Sequence, residues 1–183
     1  MNRFFLFCTA DLSTEVIDDF LKTASDKPGV YHVKWILIRT PDQPTSREPT
    51  TPPVAPFKTG FMSASVATLG NHIAVRCYEA ELAGDKMPDF QKSSFGVLDE
   101  RSARDRTLLF VQRHSWLPQE ALSLSPLDAA EAELDAWQTM RVKFEKALYA
   151  CAMVPERPWC FFDEIGRDLC KVEDDVWDLP SPF

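Results

Sequence analysis

The chain has 183 residues, 45% hydrophobic and 26% charged, with a net charge of −8. That length suits one domain, which buries roughly 70% of its unfolded surface and needs no disulfide or metal to fold. Its 20 Lys and Arg are scattered among 28 Asp and Glu, so the clustered basic face that nucleic acid or an anionic membrane requires is missing.

Arg3–Thr9 is a Phe-rich apolar run and reads as a buried first strand. A basic residue before it and small residues after it give a signal-peptide outline, but the run is short and Asp11 follows at once. Ser13 stands at a helix N-cap position. Beyond it Val16, Ile17, Phe20, Leu21 and Ala24 recur at helical spacing, while Glu15, Asp18 and Asp19 suit the positive end of the helix. Pro28-Gly29 stops that helix, and Val33–Arg39 reads as a second strand. Strand, helix, strand in so short a span predicts a β-α-β unit with its two strands parallel.

From Thr40 to Phe57 the composition turns to Pro, Thr and charge. Proline removes backbone donors, so residues 40–57 read as a mobile loop inside the domain, with a lid as its functional reading. Pro49–Pro52 and Pro53–Pro56 carry PxxP spacing, which an aromatic groove on a partner could read. His72–Glu79 alternates and predicts a strand. Phe95–Asp99 and Thr107–Arg113 predict two more, with the charged tract Glu100–Arg106 as the turn between them. Ser125-Pro126-Leu127-Asp128 has the form of a helix start, and the helix is expected to run through Trp137. Met140–Phe144 reads as a last strand, followed by helices over Ala147–Met153 and Trp159–Leu169 and an acidic tail.

The expected fold is therefore α/β of the mixed α+β kind: a single central mixed sheet flanked by helices, in one domain spanning residues 1–183. No segment has the ~20 apolar residues of a membrane helix. The odd set of five cysteines has no CxxC pair, which fits reduced thiols and a cytoplasmic location.

Two stretches resemble a known group. The first is Phe95-Gly96-Val97-Leu98-Asp99-Glu100-Arg101-Ser102, continued by Asp105-Arg106-Thr107-Leu108-Leu109-Phe110-Val111. The second is Met140-Arg141-Val142 with Phe144-Glu145, then an apolar helix and Pro158-Trp159-Cys160-Phe161-Phe162-Asp163-Glu164-Ile165. In order and spacing they resemble an uncharacterised domain-of-unknown-function family of bacterial and fungal proteins, whose members also open with a strand and an amphipathic helix. The resemblance implies a single α/β domain and no particular reaction.

The common signatures of nucleotide binding, of serine hydrolysis at an elbow, of zinc proteolysis and of EF-hand calcium binding are absent from the sequence. The three histidines are far apart, so neither a metal nor a cofactor is expected. General acid–base work needs a titratable group in a pocket. His32, beside Tyr31, and His114, at the carboxyl end of its strand beside Trp116, are the candidates; a surface or hydrogen-bonded structural role is the more common one for such histidines. Asp99, Arg101 and their charged neighbours could grip a carboxylate or phosphate, although a solvated turn accounts for them more simply. Arg141 lies inside a strand-like run and must find a carboxylate if it points inward. Trp35, Trp116 and Trp159 could wall an apolar pocket or could fill the core.

The leading expectation is thus a protein that binds a small, largely apolar molecule, with cofactor-independent acid–base processing by His114, His32, Asp99 and Arg141 as its catalytic extension, of isomerase, cyclase or dehydratase type. The rival expectation is a non-enzymatic interaction or regulatory protein that uses the Pro-rich loop or the acidic tail.

Overall fold

The computed structural model describes residues 2–24, 32–44, 46–84, 90–113, 137–153 and 171–179. The first strand, β1 (Asn2–Cys8), is buried from Phe4 to Cys8. Such a strand must be covered on both faces, which explains its nearly unbroken apolar run. On one side β1 pairs in parallel with β2 (Val33–Ile38), with Phe4 opposite Trp35 and Phe7 opposite Ile38. On the other it pairs in parallel with β3 (Phe90–Leu98), after a register shift between Arg3 and Phe5. The β-α-β unit legible in the sequence is therefore present. α1 (Thr14–Thr23) is its crossover helix.

The sheet continues in antiparallel fashion through β4 (Thr107–Arg113) and β5 (Trp137–Lys143). β7 (Val176–Asp178) then runs parallel to β5, and β6 (Lys171–Glu173) pairs antiparallel to β7. Among the described residues seven strands form one mixed sheet in the order β2-β1-β3-β4-β5-β7-β6. Asp174 and Asp175 both have positive φ, 50° and 61°, as the two-residue turn of the β6–β7 hairpin requires.

Alternate residues of the strands feed two apolar layers. Phe4, Leu6, Cys8, Trp35 and Leu37 meet Ile17, Phe20 and Leu21 of α1, together with Ala147, Leu148 and Cys151 of a helix over Phe144–Met153. We call that helix α4, with α2 (Val66–Leu82) and α3 (Glu100–Asp105) before it in the chain. Phe5, Phe7, Ile36, Ile38, Phe95 and Val97 meet Leu69, Ile73 and Cys77 of α2 on the opposite face. The two crossovers therefore lie on opposite sides of the sheet. α1 carries the chain from β1 outward to β2, and α2 carries it back past β1 to β3.

Several elements differ from the sequence reading. His72–Glu79 is not a strand but the middle of α2, whose Ser65 N-cap hydroxyl accepts from Thr68 N at 3.2 Å. Ile73 and Cys77 face the core because they are four apart, whereas Val75 between them is 55% exposed. The tract read as a turn forms α3, started by a reciprocal capping box between Asp99 and Ser102. Trp137 opens β5 and does not close a helix. Ser13 holds the N-cap position of α1 but makes no side-chain cap bond. The helix expected over Trp159–Leu169 and the body of the one expected from Ser125 lie outside the described residues.

Close packing at Gly70 ties α2 to the sheet. A Cβ there would stand 2.2 Å from Cζ2 of Trp137, whose ring also packs edge-on against Phe95 at 5.3 Å. Gly70→Ala is therefore expected to lower stability by about 1–3 kcal/mol. The shift in the urea midpoint measures it, and an unchanged midpoint would mean that Trp137 moves aside freely.

Candidate functional site

In a sheet whose crossovers take opposite faces, a crevice opens beyond the carboxyl ends of the two strands where the winding reverses. Here those strands are β1 and β3. Leu98 O accepts from Thr9 N at 2.9 Å, and Thr9 O accepts from Ser63 N, also at 2.9 Å, so the ends of both strands and the chain leading into α2 are stitched together. Thr59 Oγ1 adds a bond to Cys8 O at 2.6 Å. Around this junction lies an open crevice of about 270 Å³, lined by Thr9, Ala10, Ser63, Asp99, Glu100 and Arg101. Ser63 has a left-handed backbone, φ 54°, which turns the chain toward α2.

Asp99 and Arg141 form the wall behind it. Arg141, 7% exposed, donates from Nη1 to Asp99 Oδ1 at 3.1 Å and to Thr107 Oγ1 at 3.2 Å, and its Nη2 meets Asp99 Oδ2. Asp99 Oδ1 also accepts from Ser102 N at 3.1 Å. Burial pushes the Asp99 carboxyl up, but the Arg141 guanidinium and the Ser102 bonds outweigh that and hold it below its ordinary value. An ionised carboxylate with its oxygens so occupied is a poor proton acceptor near neutral pH. The inward arginine has thus found its carboxylate, and two of the four residues read as catalytic, Asp99 and Arg141, form an ion pair that fixes β3, β4 and β5 to one another.

Arg101 is held differently. Its Nε donates to Asp105 Oδ2 at 3.1 Å and its Nη2 to Asp174 O at 2.9 Å, anchoring one side of the fork to α3 and to the β6–β7 turn. The hydrogen bonds and charges of Arg104 and Arg101 draw the Asp105 carboxyl down to about 2. Glu100, on the neighbouring wall, is exposed.

The remaining candidates are elsewhere. His32 is exposed at the amino end of β2, where its carbonyl accepts from Asn2 N at 2.9 Å. A strand of six residues spans ~20 Å, so His32 stands at the amino ends of the parallel strands and Asp99 beyond their carboxyl ends. Trp35 is core: its indole packs on Phe4 and Phe20, with ring centroids 5.5 and 5.1 Å away, and Nε1 donates to Ala24 O at 3.2 Å. His114, Trp116 and Trp159 lie outside the described residues. His72 is half-buried on α2 between the ring edges of Phe7 and Phe61, and burial followed by the charge of Arg76 lowers its pKa.

Among the described residues the thiols, Cys8, Cys77 and Cys151, are buried and offer no nucleophile. Burial pushes Cys8 up to about 12 and Cys151 well above its ordinary value. Among the described residues no group of three His, Cys, Asp or Glu side chains is placed to hold a metal, and no helix is long and apolar enough to cross a membrane.

Sequence reasoning missed Thr9, Ala10 and Ser63, and met Glu100 only as part of the charged cluster around Asp99 and Arg101. The available signal was positional: Thr9-Ala10 directly follow the first strand of a β-α-β unit, where such folds place their ligands. Compared with models of protein families, with curated proteins and with solved structures, the chain matches none.

Proposed function

We propose that the protein binds a small polar molecule in the crevice beyond β1 and β3. The observation that carries this reading is the coincidence of the crevice with the point where the winding reverses. Arg101, steadied by Asp105 and Asp174, offers the rest of its fork to an anionic group, and the Thr9 and Ser63 hydroxyls line the same space. Glu100 suits a donor such as an amine or hydroxyl on the same ligand. The ligand is thus a compact hydroxy- or amino-carboxylate, more polar than the aromatic content of the chain suggested, because Trp35 and the Phe rings of β1 are spent on the core. Proton chemistry would need a group other than the locked Asp99.

The test is calorimetric titration with serine and lactate, beside acetate, methylamine and hexanol as single-feature probes. Serine or lactate is expected to bind best. Arg101→Ala should weaken that binding by roughly 10- to 100-fold, the loss of one charge-assisted hydrogen bond, with thermal unfolding confirming that the variant is folded. Unchanged affinity in Arg101→Ala, or binding of hexanol alone, would refute the assignment.

A further inference from the structure

Among the described residues β2 ends the sheet, and a bare edge strand of buried apolar residues is a template for another strand. Its outward backbone groups lie on Trp35, Leu37 and Arg39, and they are occupied by the chain's own Pro/Thr stretch. Trp35 O accepts from Thr50 N at 2.8 Å, and Leu37 N donates to Thr50 Oγ1 at 2.9 Å. Gln43 takes the next two, donating from Nε2 to Leu37 O at 3.0 Å and accepting from Arg39 N at 2.8 Å. Gly60 N closes the series on Arg39 O at 2.8 Å. Five consecutive edge groups are therefore satisfied, three of them by the side chains of only two residues. The stretch read as a mobile loop is a strap, fastened further along where Val54 N donates to Asp18 Oδ1 at 2.8 Å and Val54 is buried against α1.

The strap mimics a strand without being one. An open space of about 350 Å³ beside these bonds is lined by Leu37 and Arg39 of the edge and by Gln43, Ser46, Glu48 and Thr50 of the strap.

We infer that this strap is an edge guard, which keeps β2 from pairing with β2 of a second copy. Antiparallel pairing of two identical edges brings outward residues opposite outward residues. With Trp35 opposite Leu37 of the other copy, Lys34 falls opposite Ile38 and never opposite Arg39, so no like charges oppose the match. A two-fold axis normal to the sheet would keep both apolar layers continuous across the join. The occupant that fits the edge best is therefore the chain itself.

Sedimentation velocity and amide hydrogen exchange on the full chain test this. The wild type is expected to be monomeric, with slow exchange at Leu37 and Arg39. Gln43→Ala/Thr50→Ala should speed exchange at both amides on the order of tenfold in dilute solution. It should form dimers as concentration rises, with both amides protected again in the dimer. Gln43→Ala alone, a change at a half-buried loop side chain, should do the same more weakly and guards against loss of folding in the double variant. A double variant that stays monomeric with fast exchange would overturn pairing with a second copy. Slow exchange in a monomeric variant would overturn the strap as the cover, and so would a wild type that is already dimeric through this edge.

Discussion

Arg141→Met should destabilise the fold by about 3 kcal/mol at pH 7, the lower end of the cost of breaking a buried ion pair, because Asp99 keeps 26% of its side chain exposed. The substitution keeps an unbranched apolar stem and removes the donors to Asp99 and Thr107. Asp99 is left ionised against a wall with only Ser102 for support. The effect depends on pH with a definite sign. The folded Asp99 carboxyl lies below its ordinary value, so its contribution is complete above the unfolded carboxyl value and is lost as pH falls through the folded one. The gap between wild type and variant should therefore be widest near neutrality and should narrow toward pH 3. Urea titrations at both pH values measure it. Asp99→Asn added to Arg141→Met should recover part of the loss, since it removes the unpaired charge and keeps an acceptor for Ser102 N. A constant gap across that range would assign the effect to packing.

Phe20→Ala should cost about 3–5 kcal/mol, the usual price of deleting a fully buried ring. Phe20 has no exposed surface, and its ring centroid lies 5.1 Å from Trp35 and 5.1 Å from Phe144. One side chain thus joins α1 to β2 and to the start of α4. Phe20→Leu, which keeps most of the volume, should lose only roughly 1–1.5 kcal/mol. Chemical denaturation compares the two. Equal losses for Leu and Ala would show that edge-on ring contacts, and not filled volume, set the cost.

The first half of the fold was readable because its residues are simple in role. Phe4–Cys8 and Trp35–Ile38 are buried on both faces, so their sequence is a plain apolar run, and Ile17, Phe20 and Leu21 mark a single helical stripe. α2 was misread because it lacks such a stripe. Val75, Tyr78 and Leu82 are exposed apolar residues on its outer side, and Ile73 and Cys77 satisfy an alternating pattern as well as a four-residue one. α3 was missed because its start is encoded by Asp99 and Ser102 and not by the usual Ser or Thr followed by Glu.

The candidate site divides in the same way. Asp99, Arg101 and Arg141 stand out by charge, and the structure brings all three to one end of the sheet. Thr9, Ala10 and Ser63 are chemically ordinary. They matter only through where β1 stops and where the chain turns into α2, which tertiary winding decides. The Pro/Thr stretch was opaque for a related reason, since its bonds go to groups that exist only once β2 has become an edge.

The place of β1 between β2 and β3 has a consequence for how the chain is made. Its first neighbour, β2, leaves the ribosome soon after it, but its second, β3, begins only at Phe90. At synthesis rates of ~5–20 residues per second, the roughly 50 residues from Ile38 to Phe90 leave the growing chain with a half-paired, ring-rich strand for about 3 to 10 s. Over that interval α1 can cover one face of β1, while the other face waits for α2. Nascent protein halted between Cys8 and Phe90 is thus the form most open to chaperones and to clumping.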